Sequence, residues 1–570
     1  MLSEGEDVRS WDGLRPELAP GVTVDPPLTD GAPWVISVDA VPRARVGDDF
    51  ARVARLLDGR RSLREAVRSA GVAASVTQAL TVVNTLAAAS LLRSNAAHGA
   101  GDGHRDGRIR EAVRRFSSRF RYRPPLTVQY TLFDSSSLAR SLTRLFRLRG
   151  SVAVCAVAAS SVIVLGGLSA AIEFDSIEGV LADPLPVGLV PGILLAVLLT
   201  GCLHELSHAV TLAAMGARPS RMGIMLLYLM PAFFCDVTDG WRIGERWRRA
   251  AVALAGPALH LILAAASFAT LLVVDGPGPR AFLVLYGSAC AVAVVANLIP
   301  FLKLDGYLVL VALTDTPYLR ANAVAAARRA SSRLLFGGRE RRDAPRRSAA
   351  LVVFGALCVL FPILLFAWAA IRLQPIFVGM GPWMALTYLA LVASFLLVSA
   401  RRIGRFFASG LRRRVGVGRA LAGSSAALVA VAIVLLAPVR VTVHAGFMTH
   451  GDDVLLVSST RVGLEPVRPG DRVILSANGV VLRPEIGRAV VGGGGGNDVD
   501  VSLAAVAPVT APRATMPGWG VRLRDVHSSV PLPPAGAAEV DTGDAPPLGA
   551  LLVDLLVLEP VRAALDGGNT

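Results

Sequence analysis

Charge is scarce in this chain. Only 18% of its 570 residues are Asp, Glu, Lys or Arg, while 53% are hydrophobic. Soluble domains usually carry about 25% charged residues, so an ordinary soluble enzyme of this length is excluded. Cysteine is sparse too. Cys155, Cys202, Cys235, Cys290 and Cys358 all lie in or beside apolar segments and form no close pair. A disulfide framework is therefore excluded, and buried structural thiols are expected. The first 120 residues hold no apolar core behind a basic start, so no cleavable secretory signal is expected. Acidic residues are outnumbered, leaving a net charge of +15. Nucleic acid could be inferred from that sign. Yet the Arg clusters fall at 105–123, 140–149, 242–249, 328–347 and 401–419, between apolar runs, as orientation in a membrane requires. The stretch 75–90, the recognition helix of a DNA-binding reading, has no Arg or Lys for phosphate contacts. No nucleic-acid partner is expected.

What is abundant is apolar sequence in runs long enough to cross a lipid bilayer. Seven candidates lie near Val152–Ile172, Val187–Ala214, Ala250–Val274, Ala281–Leu302, Ala349–Ile371, Trp383–Ala400 and Ala420–Pro438. The acidic segment Glu173–Asp183 and the basic clusters alternate between the ends of these runs. The alternation predicts a multi-pass cell-membrane protein with a cytoplasmic N-terminus and an extracytoplasmic segment after 440. The fold class expected is mainly α. It is a polytopic helix bundle of about seven spans, with a small winged-helix-like cytoplasmic domain before it and a β-rich extracytoplasmic domain after it.

Composition divides the chain further. Residues 1–32, rich in Pro, Gly and acid, read as a loose N-terminus. Residues 33–95 read as the winged-helix-like domain. Trp34–Val38 alternates as a strand, and Phe50–Leu57 reads as a helix ended by Asp58-Gly59. Ser62 and Glu65 have capping-box spacing, and Val76, Leu80, Val83 and Leu86 repeat at helical spacing. A plain helical cap fits the same pattern. Residues 96–150 form a basic linker followed by an amphipathic helix, with Leu138, Leu142, Leu145 and Phe146 among Arg140, Arg144, Arg147 and Arg149. Such a helix lies on a membrane surface. Residues 151–310 are expected to form a membrane core, 311–439 additional spans and 440–570 the β-rich domain. The stretch Leu551–Leu558 is too short to span and is expected to pack on that domain.

The chemistry concentrates in His204-Glu205-Leu206-Ser207-His208. Histidines four apart share one helix face, so both imidazoles can bind one divalent metal, with Glu205 placed to serve as a base. His204 falls roughly 25 Å along its apolar helix, at a depth where an ionisable trio is costly unless paired or functional. A second motif, Asn297-Leu-Ile-Pro300-Phe-Leu-Lys-Leu-Asp305-Gly306, closes the fourth run. Its Pro and Gly let the backbone break and turn a carboxylate inward. Two His and one Asp leave one tetrahedral position free, and that donor set favours zinc.

Together, the two motifs resemble those of the site-2 proteases, an HExxH on one span and an NxxPxxxLDG on a later one. The resemblance covers about residues 120–325. It implies an intramembrane zinc endopeptidase with Zn2+ held by His204, His208 and Asp305 and with Glu205 as general base. Further residues, Phe234-Cys-Asp236-Val-Thr-Asp239-Gly-Trp241, Ala255-Gly256-Pro257 and Asp305-Gly306-Tyr307, are similar to a bacterial branch of peptide zinc metalloproteases. That branch is associated with ribosomally made, modified peptides, including daptide-type systems. The 33–95 segment resembles the small domains that bind leader peptides in such pathways. The expected partners are a peptide or precursor-peptide substrate and the lipid bilayer. The family often places Asn where this chain has His260. His260 is either a substitute donor to substrate or oxyanion, or a buried histidine with a backbone partner. Asn297 is a second candidate for that contact. Asp236 and Asp239 either orient a ligand histidine or end a re-entrant hairpin. The stretch Pro219–Pro231 is expected to be an edge strand along which substrate pairs. Two other functions fit the same residues: a non-proteolytic peptide export accessory, and a protease releasing a membrane-tethered regulator.

Overall fold

The computed structural model describes residues 15–28, 32–38, 41–71, 82–83, 85–86, 91–92, 120–123, 127–146, 151–227, 230–316, 318–336, 349–411, 417–451, 453–459, 462–511 and 514–566. The chain falls into two compact units. The first is Met1–Gly167, Leu195–Ala269 and Gly287–Thr316; the second is Leu168–Leu194, Thr270–Tyr286 and Pro317–Thr570.

The first unit opens with three antiparallel strands, β1 (Val22–Asp25), β2 (Trp34–Val38) and β3 (Val41–Val46), with β2 in the middle. Helices α1 (Asp48–Arg55) and α2 (Leu63–Ser69) follow. Ser62 caps α2, and both bonds of the capping box with Glu65 form. Ile36, Val53, Leu57, Leu63, Val83 and Leu86 share one buried core, against which Leu18, Val22 and Leu92 pack. Val76 and Leu80 lie outside the described residues. The sequence suggested one strand here and a loose chain before residue 33. Instead, Val22–Asp25 is paired with Val35–Val38. A four-residue strand flanked by Gly and Pro has too little alternation to be read locally, and only its partner reveals it.

A second sheet follows, in the order β4 (Phe120–Arg123), β5 (Thr127–Asp134), β7 (Arg221–Leu227) and β8 (Met230–Cys235), all antiparallel. Two expectations change here. Phe120–Arg123 is strand rather than linker, and Arg221–Leu227 is an interior strand rather than an edge. β5, from before the first apolar helix, covers the side of β7 that looked free. The edges are β4 and β8, and Pro231 fits its place in β8, since its missing N–H falls on the unpaired side. The amphipathic stretch forms α3 (Ser136–Phe146), with Leu138 exposed.

The long apolar helices among the described residues are α4 (Ser151–Ile172), α6 (Val190–Ala214), α7 (Arg246–Thr270), α8 (Pro277–Leu298), α11 (Ala349–Gly379) and α12 (Pro382–Leu411). Between them lie α5 (Phe174–Ala182), β6 (Leu185–Pro186), α9 (Asp305–Thr314) and α10 (Leu319–Phe336). Six helices among the described residues are long and apolar enough to cross a membrane. The seventh candidate run forms α13 (Val417–Leu436), whose apolar part, Leu421–Leu436, is shorter.

The second unit ends in a β-barrel. Strands β9 (Thr442–His450), β10 (Asp453–Ser458), β11 (Arg472–Ser476), β12 (Glu485–Val491), β15 (Thr515–Ser528) and β16 (Ala535–Asp541) run β10-β9-β16-β11-β12-β15, and β15 pairs back with β10 to close the ring. Strand β13 (Asn497–Ser502) adds to β15, and β14 (Val509–Thr510) pairs in parallel with β6. Closure removes the edges through which sheets aggregate. After the barrel come α14 (Leu548–Val553) and α15 (Glu559–Asp566). The stretch Leu551–Leu558 was expected to pack on the β domain. Leu556 instead joins Ala370, Tyr388 and Val392 of α11 and α12, and Gln374 donates to Glu559 at 2.7 Å. The two apolar helices offer a cluster to which a short amphipathic helix can dock.

Phe447 is fully buried in the barrel core. Replacing it with Ala should cost about 3–5 kcal/mol, read as a lower denaturant midpoint for the barrel's unfolding transition.

Candidate metal centre

The centre is built by three helices of the first unit. From α6 come His204 and His208, one turn apart on the same face and only 6% and 5% exposed. Asp305 is the first residue of α9. A Cβ on Gly306 would lie 2.2 Å from the Leu298 carbonyl oxygen, so only glycine lets α9 begin this close to the end of α8. That close turn brings the Asp305 carboxylate to the two imidazoles.

Asp305 Oδ2 lies 3.0 Å from His204 Nε2 and 3.4 Å from His208 Nε2, and the two Nε2 atoms are 3.3 Å apart. Donors at zinc–nitrogen and zinc–oxygen distances in a tetrahedron stand about 3.3 Å from one another. All three separations are close to that edge. The protonation pattern agrees. His208 Nδ1 lies 2.7 Å from the Val252 carbonyl oxygen, which can only accept, so Nδ1 carries a proton, and in the neutral imidazole Nε2 is left to offer a lone pair to the cluster. Asp305 Oδ2 is buried yet makes no hydrogen bond. Acceptors turned toward one another at these distances repel unless a cation lies between them. These residues fit a divalent metal of the zinc type, and they are the group among the described residues with metal-ligand geometry.

Helix α7 supplies the wall. Arg249, Val252, Gly256 and His260 recur at helical spacing along one buried stripe. A Cβ on Gly256 would come within 2.4 Å of His204 Nε2 and 2.6 Å of His208 Nε2. Pro257 withholds the N–H that would bond to the Ala253 carbonyl, which loosens this turn beside the carbonyl that accepts from His208. The His260 ring centroid is 5.0 Å from that of His204. Its Nδ1 is buried without a hydrogen-bond partner, so no backbone group holds that nitrogen.

Glu205 is half-buried, and the backbone N–H of Cys235 donates to its carboxylate. Cys235 is the last residue of β8. The Asp236 N–H bonds inward to the Arg221 carbonyl, so by strand alternation the Cys235 and Phe233 amides point away from β7, on the side of Glu205. Phe233 itself packs against Gly201, one turn before His204. Burial, followed by the neighbouring Glu205 charge, pushes the Cys235 thiol up to about 12. It stays protonated near neutral pH and provides no anionic ligand or nucleophile.

The other candidates lie elsewhere. Asn297 donates to the Ala293 carbonyl of its own helix at 2.9 Å, which turns its amide along α8. Asp236 accepts from the Thr238 hydroxyl at 2.6 Å and from Arg221 at 3.2 Å. Burial raises its pKa, but these bonds outweigh burial and hold the carboxyl below its usual range. Asp239 accepts from the Arg218 amide at 2.7 Å and pairs with Arg242 at 3.2 Å. These contacts brace the turn Thr238–Arg242. The part of histidine orienter falls to the Val252 carbonyl, a backbone group that no side-chain motif announces. The regular spacing of Gly256 and His260 was the one sequence signal for the α7 wall.

Gly256→Ala separates local propensity from the site. In a helix interior the change should stabilise by about 0.5–1 kcal/mol. Here the added methyl displaces both imidazoles, so metal affinity should fall by about tenfold or more, read by zinc competition titration of purified protein.

Residues 192–280 match the family described as Peptidase family M50. No curated protein and no solved structure matches the chain. Over a segment that holds both histidines, Glu205 and the α7 wall, the chain is similar to membrane metalloproteases.

Proposed function

We propose that this chain is an intramembrane zinc metalloendopeptidase. The observation that carries the proposal is the near-tetrahedral spacing of His204 Nε2, His208 Nε2 and Asp305 Oδ2 beside a half-buried Glu205. Zinc, when bound, supplies Lewis-acid activation of water and of the scissile carbonyl. Glu205 accepts the proton from the attacking water and later delivers it to the departing amine nitrogen. His260, buried beside His204, donates a hydrogen bond to the carbonyl oxygen as negative charge develops there. The outward edge of β8, with the Phe233 N–H and the carbonyls beside it, pairs with an extended peptide and lays its backbone beside Glu205.

Topology follows from charge in the same proposal. The N-terminus is cytoplasmic and the barrel extracytoplasmic, which requires an odd number of crossings. Helix α13, with 20 residues, spans about 30 Å, enough for the seventh. His204 then lies roughly 21 Å along α6 from its outer end. The substrate is a ribosomally made precursor peptide, cut as its leader is removed. A three-stranded sheet followed by short helices is a suitable frame for holding a leader, and this supports the reading. The barrel, which hydrolysis does not use, favours a second reading, that of an export accessory.

Purified chain should cleave candidate precursor peptides, and a chelator should stop it. Glu205→Gln should keep its zinc and lose about 10²–10⁴-fold in rate. Full activity in Glu205→Gln would remove Glu205 as the base, and transport of intact peptide by a wild type that never cleaves would favour the accessory reading. Phe233→Pro deletes one outward amide without touching the β7 ladder. It should lower kcat/KM with metal content unchanged; equal kcat/KM would reject pairing along β8.

A further inference from the structure

Among the contacts of the N-terminal module with the membrane core is a cation–anion–cation node. Arg249, at the start of α7, is 7% exposed. Its Nη1 donates to the carbonyls of Ile243 and Gly244, both at 2.8 Å, and its Nη2 donates to Asp315 Oδ1 at 2.6 Å. Asp315 caps the C-terminus of α9 in a left-handed conformation, with φ of 47°. The same Oδ1 accepts from Nη1 of Arg45 at 2.8 Å. Arg45 belongs to β3, paired with Val35 in the module's sheet. Its Nη2 also donates to the Trp241 carbonyl at 3.3 Å, and its guanidinium lies over the Trp241 ring at 5.2 Å. Arg242 donates to the Pro26 carbonyl at 2.9 Å, and Leu28 packs against Leu212 and Val252.

Both ends of this node lead to the metal centre. Helix α9 is a single rod of 10 residues, about 15 Å long, with Asp305 at one end and Asp315 just past the other. Arg249 stands one turn before Val252, whose carbonyl orients His208. The Arg249–Asp315 contact therefore sets α7 against α9, and so sets His208 against Asp305. An αL aspartate costs of order 1 kcal/mol or more unless its surroundings hold it. Two guanidinium groups on one oxygen do so.

We propose that Arg45 makes the N-terminal module a positioning element of the metal centre. The module holds Asp315, Asp315 holds α9, and α9 presents Asp305. A peptide bound to the module is then coupled to the centre by way of Arg45. The inference rests on the metal-centre reading above.

The test uses the full chain and zinc or cobalt(II) as probe. Arg45→Ala should weaken zinc binding by about 3–10-fold. The visible bands of the cobalt form should shift, and amide exchange across α9 should quicken, while the module's melting midpoint is unchanged. Arg45→Lys keeps the charge but loses the fork, and should restore zinc binding in part. Arg45→Ala and Asp315→Asn should be non-additive in the double variant. A wild type that binds no zinc overturns the metal-centre reading and this inference with it. Zinc-binding wild type with unmoved affinity and cobalt bands in Arg45→Ala overturns this inference alone.

Discussion

Three lone-pair donors from two helices must meet within about 3.3 Å of one another, inside an apolar bundle. Most features of the first unit can be understood as conditions on that meeting. Donors of this kind repel when brought together and lose water when buried, so helix packing alone will not assemble them. The backbone has to be shaped first. Gly306 lets α9 start against the end of α8, and Gly256 leaves α7 bare where both imidazoles lie. The Val252 carbonyl then chooses the tautomer that turns His208 Nε2 inward.

Arg249, Asp236 and Asp239 are each met by more than one polar partner. Arg249 reaches three carbonyl oxygens, those of Ile243, Gly244 and Ala312, besides Asp315. Asp236 is closed off by Thr238 and Arg221, and Asp239 by Arg242 and the Arg218 amide. Breaking such a buried contact leaves one charge unpaired, which costs more than the intact contact contributes. Several polar atoms around His204, His208 and Asp305 have no such partner. Asp305 Oδ2 and the Nδ1 atoms of His204 and His260 are buried without hydrogen bonds. Polar groups left so are costly in a native structure unless something else engages them.

Strand edges show the same division between structure and use. The barrel joins β10 to β15 and has no open seam in its six-stranded ring. The sheet that accompanies the metal centre stays open at β8, where the last strand amide already donates to Glu205. An edge left open costs solubility unless a partner or a lipid phase covers it. That edge lies beside Glu205, the carboxylate between the paired histidines.

Local pattern in the sequence was enough to find the apolar helices, the Ser62–Glu65 cap and the pairing of His204 with His208. Each depends on residues within one or two turns, where helical periodicity links spacing directly to position. The two motifs also marked Asp305 as a partner for those histidines. Tertiary structure alone decided the rest. It placed β5 on β7 across nearly 100 residues of intervening chain, which turned an apparent edge into an interior strand. It gave His208 a carbonyl partner from α7 and turned Asn297 back onto its own helix. It sent Leu556 and Glu559 to α11 and α12 instead of the barrel. It joined Arg45 to Asp315 over 270 positions. Backbone carbonyls carry no residue-specific signature, and strand partners far apart leave no local period. Contacts of those two kinds become visible only once the chain is folded.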